Sequence, residues 1–328
     1  MSERIIVTGG AGFIGSNLVK ALNERGITDI LIVDHTDESE KRGNLERIRF
    51  ADYIDKADFR GMLRTNRVPA ARGVFHLGAC SSTTETDEAY LNDNNYQYTR
   101  DLCEWSLRTK TRFIYASSGA TYGDGSQGYS DEDSVTPTLK PLNLYGWSKH
   151  RFDLWALSTG AIRNIAGLKY FNVYGPGEDH KGPMRSVVSK SYGQVVRDRE
   201  ISLFKSYRPG YRDGEQDRDF IYVTDAVAVT LFFYDHPSVC GLFNCGTGTA
   251  RTWIDLAKAL FAATGVPPKI RFIEMPPEIQ DRYQYHTQAD MRKLHSAGYT
   301  APFLSIEQGV RDYVQSYLAK ARTQPPAA

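Results

Sequence analysis

The sequence lacks several things that would mark a membrane, secreted or nucleic-acid-binding protein. It has no apolar run near the ~20 residues of a spanning helix, so no transmembrane segment is expected. Lys and Arg number 40 against 39 Asp and Glu, a net charge of +1. Without a surplus of one sign, a nucleic-acid or charged-membrane surface is not expected as partner. Cysteine is scarce, with only Cys80, Cys103, Cys240 and Cys245. Their spacing fits neither a zinc pattern nor a secreted disulfide framework, and no metal is expected. Cys80 reads first as a small buried thiol, with a place in a ligand groove as the other reading. The first strand-like run starts almost at once, leaving no room for a signal peptide, so a cytoplasmic protein is expected. What is present is 41% hydrophobic and 24% charged residues over 328 positions. That is ordinary globular composition, enough for one large α/β unit or two interlocked domains.

The most informative stretch is Ile5-Ile6-Val7-Thr8-Gly9-Gly10-Ala11-Gly12-Phe13-Ile14-Gly15. A β-branched strand runs into glycines spaced G-x-x-G-x-x-G, and a helical pattern follows. A dinucleotide site needs that order. Gly9 permits the turn out of the strand, Gly12 lets the backbone approach a pyrophosphate, and Gly15 lets the helix pack on the strand. The helix N-terminus then offers free N–H groups and a positive dipole end. About 20 residues on, Ile30-Leu31-Ile32-Val33-Asp34 is a second strand ending in the acid expected to meet a ribose hydroxyl.

Strand-like runs at 4–8, 30–34, 73–77, 111–117 and 165–171 alternate with helix-like stretches near 14–25, 55–65, 88–108 and 144–158. Such alternation predicts a Rossmann-type doubly wound parallel sheet with ligands at the carboxyl ends of its strands. After residue 172 the rhythm breaks into a loop-rich segment with one helix near 184–198. A short strand is expected at 219–223, with Thr224 and Asp225 as caps of the helix that follows, and a buried strand at 241–246. Three more helices and short strands complete the chain. We read 1–171 as the dinucleotide-binding domain, with segments near 219–250 returning to it. Residues 172–328 read as a smaller α/β substrate domain. The tail at 323–328 reads as disordered.

Asn143-Leu144-Tyr145-Gly146-Trp147-Ser148-Lys149 places Tyr145 and Lys149 four apart at a helix start, on one face. A nearby ammonium favours the tyrosinate, so the Tyr145 pKa is expected to fall toward a value useful for proton transfer. Lys149 is also placed to hold a nicotinamide ribose. Ser118, after the strand ending Tyr115-Ala116-Ser117, can hydrogen-bond a hydroxyl or ketone in reaction.

With these elements the chain resembles the extended short-chain dehydrogenase/reductase family over nearly its whole length. Tyr170-Phe171-Asn172-Val173-Tyr174-Gly175-Pro176 resembles that family's passage into its substrate domain. Arg218-Asp219-Phe220-Ile221-Tyr222-Val223 resembles its later return, with an Arg for substrate phosphate. A narrower resemblance, to the branch that inverts C6 of an ADP-bound heptose, rests on four segments together. They are His76-Leu77-Gly78-Ala79-Cys80-Ser81-Ser82-Thr83-Thr84-Glu85, Asp93-Asn94-Asn95-Tyr96-Gln97-Tyr98, His180-Lys181-Gly182 and Arg282-Tyr283-Gln284-Tyr285-His286-Thr287-Gln288-Ala289-Asp290.

The resemblance implies an ADP-heptose substrate, tightly bound NADP, a product destined for lipopolysaccharide, and a homo-oligomer, with pentamers found in the class. Epimerisation takes hydride from C6 and returns it to the opposite face, so the oxygen changes place and two proton-transfer groups are expected. The resemblance puts these on Tyr145 and Lys181, with Ser118 and Lys149 assisting. It implies cofactor contacts from Gly9, Gly12, Phe13, Ile14, Gly15, Asp34, His35, Lys41, Lys56, Leu77, Gly78, Ala79, Cys80, Ser81, Asn94, Lys149, Val173 and Lys181. It implies substrate contacts from Ser118, Asn172, Pro183, Lys190, Phe204, Lys205, Ser206, Arg218 and Tyr283. The chain departs from the pattern at Leu77 (for Glu), Pro183 (for Ser) and Lys190 (for His), and in a longer stretch over 205–214. Asp34 alone favours NAD, whereas Lys41 and Lys56 favour a 2′-phosphate, and NADP is the expectation. A UDP-hexose 4-epimerase is the alternative. A 4,6-dehydratase is disfavoured because Gly119 and Ala120 stand where its Asp-Glu pair would be. A redox-sensing binding protein is disfavoured because Ser118, Tyr145 and Lys149 are all present.

Overall fold

The computed structural model describes residues 3–35, 41–280 and 283–321. Arg282 and the 323–328 tail lie outside the described residues. The chain opens with β1 (Ile5–Thr8), α1 (Phe13–Glu24), β2 (Ile30–Asp34), a single turn α2 (Arg42–Leu45), β3 (Asp52–Asp55), α3 (Lys56–Arg64) and β4 (Gly73–His76). Next come α4 (Glu88–Leu91), a π-turn (Asn92–Gln97), α5 (Tyr98–Thr109), β5 (Arg112–Ser118), α6 (Leu144–Ser158) and β6 (Ala166–Tyr170). Then follow β7 (Asn172–Tyr174), α7 (Val187–Asp198), β8 (Ile201–Phe204), β9 (Asp217–Tyr222), α8 (Val223–Asp235), β10 (Gly241–Cys245), β11 (Ala250–Thr252), α9 (Trp253–Thr264) and β12 (Ile270–Ile273).

Seven strands form one sheet in the order β10-β6-β5-β4-β1-β2-β3. Every pair in it is parallel. Alternation along β1 shows why it is central. Ile5 and Val7 pack with Leu18, Val19 and Leu22 of α1 on one face. Ile6 packs with Leu102, Trp105 and Phe152 from α5 and α6 on the other. A strand buried on both faces has to read as a continuous apolar run, and IIVT does. The strand order reverses between β1 and β4, which is where a doubly wound sheet opens a crevice.

Beyond β6 the chain builds two small sheets, β11-β9-β7 and β12-β8. They share a separate core with Val188, Tyr192, Leu256, Leu260 and Tyr313. The chain returns to the large sheet through α8 and β10.

Several local expectations change. The helix expected near 88–108 is interrupted by the π-turn, which turns the consecutive Asn94 and Asn95 both inward, buried to 3% and 1% exposure. Strands β3, β7 and β8 and helix α2 lacked a sequence signal. Thr224 and Asp225 do not cap α8, because Tyr222 is its N-cap with no side-chain bond. Asp225 instead accepts the Leu304 N–H at 2.8 Å, tying α8 to the C-terminal segment. Among the described residues the late helices are α9, Arg292–Ser296 and Ile306–Tyr313, with short further turns at Pro277–Gln280, Val314–Leu318 and Ala319–Ala321.

Candidate active site

The end of β1 decides where a ligand can lie. The chain turns at Gly9, φ +70°. A Cβ on Gly15 would sit 2.1 Å from the Gly9 carbonyl oxygen, and one on Gly9 would sit 2.6 Å from Gly78 N. Bare α-carbons therefore let α1 start directly on the strand and let the β4 loop close beside it. Gly12 is the N-cap of α1 and brings no side chain to its free N–H groups. Those groups and the helix dipole make a ready anion site. A cleft of about 820 Å³ begins here, lined by Gly9, Gly12, Phe13, Ile14 and Gly15.

At the far end of the glycine turn, Asp34 is 7% exposed. One of its oxygens accepts the Ala11 N–H at 3.0 Å. The other accepts the His35 N–H at 2.9 Å and the Lys41 ammonium at 3.0 Å. Lys56 donates to the Asn94 side-chain oxygen at 2.7 Å. Burial lowers the Lys56 pKa. Asp34, His35, Lys41, Lys56 and Asn94 all line the cleft.

The β4 loop is held by a relay that sequence reading missed. Gly78 N–H donates to Thr8 Oγ1 at 3.1 Å, so the Thr8 hydroxyl proton is free for His76 Nδ1, 2.7 Å away. His76 Nε2 then faces Thr99 Oγ1 at 2.9 Å, which donates to Asn95 O at 2.5 Å. The chain of donors requires a neutral His76. Burial, with the Lys149 charge second, pushes its pKa down to about 3. Asn95 extends the relay. Its side chain bonds both N–H and C=O of Cys80 at 2.9 Å and donates to Ser148 on α6 at 2.9 Å. Leu77, Gly78, Ala79, Cys80 and Ser81 thus line the cleft in a fixed loop. Cys80 is half-buried and faces the cleft, so the buried-thiol reading gives way to the groove reading.

Tyr145, Lys149 and Ser118 meet in the middle of the cleft. Asn143 caps α6 by accepting Gly146 N–H at 2.8 Å, which starts the helix where Tyr145 and Lys149 face β5. Lys149 is 6% exposed and donates to Ala116 O at 2.8 Å. Burial lowers its pKa to about 8. Tyr145 is hydrogen-bonded to Ser118, which favours its ionised form. Burial outweighs that bond and raises its pKa. The expected fall is therefore corrected: the shift is upward, and the Lys149 ammonium donates to the strand carbonyl of Ala116.

One helical turn beyond Lys149, Asp153 is fully buried. It accepts Tyr115 Oη at 2.8 Å and Ser117 Oγ at 2.7 Å, and it pairs with Lys169 of β6 at 3.3 Å. The Tyr-x-x-x-Lys-x-x-x-Asp spacing and a lysine inside the strand AGLKY were the available signals.

Lys181 reaches the cleft from a different element, the 3₁₀ strap Asp179–Met184 that follows β7. Its ammonium lies 5.3 Å from the Phe13 ring centroid, at the start of α1, and burial lowers its pKa. Asn172, Val173, Pro183 and Lys190 also line the cleft. Lys190 donates to Pro183 O at 3.3 Å.

Phe204, Lys205, Ser206, Arg218 and Tyr283 are not in its lining. They group beyond Trp253, which is. The Arg218 guanidinium stacks over Trp253 and Tyr283 at 5.7 and 5.1 Å, and Tyr283 accepts the Trp253 indole N–H at 2.9 Å. Arg218 also donates to Asp217 O and Gln284 O. Phe204 meets the Tyr283 ring edge-on, Lys205 pairs with Glu274, and Ser206 N–H binds Asp213.

Residues 5–246 match the NAD dependent epimerase/dehydratase family, and the chain belongs to it. A nicotinamide cofactor is therefore the group this cleft serves, and the glycine cradle and uncapped helix start suit its pyrophosphate. Among individual relatives, the ADP-L-glycero-D-manno-heptose-6-epimerase of Nitratidesulfovibrio vulgaris (strain DP4) is 51% identical, over 96% of this chain and 98% of its own. That of Fusobacterium nucleatum subsp. nucleatum is 46% identical, over 96% and 98%. The Helicobacter pylori ADP-L-glycero-D-manno-heptose-6-epimerase structure superposes with a TM-score of 0.80 at 29% identity, covering 97% of each chain. No helix among the described residues is long and apolar enough to cross a membrane.

Proposed function

We infer that this chain epimerises C6 of ADP-D-glycero-D-manno-heptose, giving the L-glycero isomer for the inner core of lipopolysaccharide. The observation that carries the reading is that Tyr145 on α6 and Lys181 on the strap reach one cleft from separate elements, as two groups with proton-transfer roles would. An inversion that leaves the oxygen in a new place needs two such groups. The names of relatives up to 51% identical supply the sugar.

When bound, the nicotinamide supplies a hydride acceptor, and then a donor, at C6. Tyr145 Oη exchanges a proton with the C6 oxygen in one pose, with Ser118 steadying that oxygen. Lys181 Nζ exchanges it in the other pose. Lys149, fixed to Ala116 O, would hold the nicotinamide ribose. Gly12, Phe13, Ile14 and Gly15 would hold the pyrophosphate. Leu77, Gly78, Ala79, Cys80, Ser81 and Val173 would wall the cofactor, and Asn172, Pro183 and Lys190 the sugar. Arg218 and Tyr283, with Phe204, Lys205 and Ser206, would take the ADP end.

NADP is the favoured form. Asp34 already accepts three donors, one of them the Lys41 ammonium. That pair puts a cation where a 2′-phosphate would lie and offsets the carboxylate that would repel it. We place the enzyme in the cytoplasm as a homo-oligomer, with 1–171 as cofactor domain and 172–328 as substrate domain.

NMR of ADP-D-glycero-D-manno-heptose incubated with the pure protein tests the reaction. Conversion to the L-glycero isomer is expected, with NADP in the denatured supernatant. Absence of conversion together with turnover of UDP-glucose would replace the reading by a hexose 4-epimerase. Lys181→Met should lower turnover on the order of 10²-fold or more with cofactor retained. Normal turnover at saturating NADP would make Lys181 a binding residue.

A further inference from the structure

We propose that Glu178 is the positioning residue of the strap that carries Lys181, closing that strap on itself while the last helix pins it from outside. The proposal rests on the reading of Lys181 as a proton-transfer group. Glu178 immediately precedes the strap and is 0% exposed. Its carboxylate accepts both the backbone N–H and the hydroxyl of Ser186, the latter at 2.6 Å, eight residues further on. Its carbonyl accepts the Lys181 N–H at 3.0 Å. One residue thus ties both ends of the strap and Lys181 itself. Ser186 passes the constraint on, because its hydroxyl oxygen accepts Ser189 N–H at 3.2 Å and caps α7.

Inside this loop Gly182 takes φ +50° and ψ −121°, which breaks the 3₁₀ turn directly after Lys181. An L side chain there would be strained whatever the space around it. The upstream end is fixed to the cofactor cradle. Asn17 donates to Pro176 O at 2.8 Å, and Asn44 bridges Ala11 O and Gly177 O at 3.0 Å each. From outside, Tyr317 donates to Asp179 at 2.5 Å. Tyr313, buried one turn earlier, lies against Glu178 and Ser189.

A carboxylate held fully out of water is costly, and here its two oxygens accept from two donors of one residue. The charge has a second consequence. Lys181 and Lys190 both face it. Arg185 opposes its effect on Lys190. Burial lowers the pKa of each lysine, and Glu178 raises both again. The strap is therefore clamped by the same group that offsets part of the effect of burial on Lys181.

The test is the pH–rate profile of Glu178→Gln in the cofactor-loaded enzyme, beside Glu178→Ala and Ser186→Ala. Glu178→Gln keeps the acceptor for the Ser186 N–H, reverses the bond to the Ser186 hydroxyl so that the amide donates, and removes the charge. The limb belonging to Lys181 should move to lower pH while the Tyr145 limb and cofactor retention stay. Glu178→Ala opens the strap and should lower kcat by about 10- to 100-fold, with Ser186→Ala in between. Tyr317→Phe, which removes only the hydroxyl at a half-buried position, gives a folded control that loosens the outer tie and should lower kcat mildly. An unmoved profile in Glu178→Gln with normal kcat in Ser186→Ala would overturn the proposal. Lys181→Met separates the two claims. If it abolishes turnover while the Glu178 variants behave as wild type, the acid–base reading stands and the positioning role fails. If the residual rate of Lys181→Met still shifts with Glu178→Gln, the effect does not run through Lys181 and the proposal also fails.

Discussion

Behind the cleft, Lys169 and Asp153 form an ion pair at 3.3 Å in which both side chains are 0% exposed. Lys169→Met keeps the length and apolar stem of the side chain and removes the charge. Asp153 would keep Tyr115 and Ser117 as donors but lose its counter-ion at a fully buried position. Thr121 Oγ1, which accepts from Lys169 at 2.9 Å, would lose its donor. Removing one partner of a buried pair costs about 3–5 kcal/mol. At ~2.1 cal/mol/K per residue the unfolding entropy of this chain is about 0.7 kcal/mol/K, so the thermal midpoint should fall by ~4–7 °C. Scanning calorimetry of the cofactor-free protein measures it. Adding Asp153→Asn should cost less than its effect alone, because the stranded charge goes with it, with a coupling of about 1 kcal/mol or more. The pair also reaches the chemistry. Asp153 raises the pKa of Lys149, which burial has lowered to about 8. Asp153→Asn should therefore move the Lys149 limb of the rate profile to lower pH. A midpoint shift under ~1 °C for Lys169→Met, with strictly additive effects in the double variant, would refute this account.

Tyr145→Phe should lower turnover by about 10²–10⁴-fold at nearly unchanged thermal midpoint, read by the NMR assay, and near-normal turnover would remove Tyr145 from the chemistry. Gly15→Ala would put a methyl 2.1 Å from the Gly9 carbonyl. About 1–3 kcal/mol of destabilisation and loss of bound cofactor are expected, read by calorimetry and mass spectrometry of the supernatant. Lys41→Ala removes the ammonium from Asp34 and should shift the ratio of NADP to NAD affinity toward NAD, measured by titration of cofactor-free protein. An unchanged ratio would take Lys41 out of cofactor choice.

The first half of the fold was legible because its strands are buried on both faces. IIVT and ILIVD read as continuous apolar runs bounded by glycine or acid, and such runs have few other homes. Strand β8 carried no such mark. ISLF pairs with Ile270–Ile273, more than sixty residues on, and only that distant partner makes it a strand. The same holds for Asn172–Tyr174 beside β9. The edge strand β3, DYID, is only half covered and offers a polar pattern that local reading assigns to a loop.

In the site, residue types at short spacing were legible and their electrostatics were not. The glycines, Asp34, Ser118, Tyr145 and Lys149 line one cleft, and each belongs to a run whose spacing has a geometric purpose. The direction of the Tyr145 shift came out opposite, for a reason the i,i+4 argument omits. Two residues on one helical face are neighbours, but each also faces whatever the helix packs on. Lys149 finds a strand carbonyl at 2.8 Å, and the phenol is left to burial. Glu178, Asn95 and Asp153 were missed for a related reason. Their partners, Ser186, Cys80 with Ser148, and Lys169, are each brought to them by the fold, and the local marks around Asn95 and Asp153 say nothing of those partners. The groups proposed to touch a ligand announce themselves by motif, whereas those that hold them in place become visible only when the strands and the strap are in position.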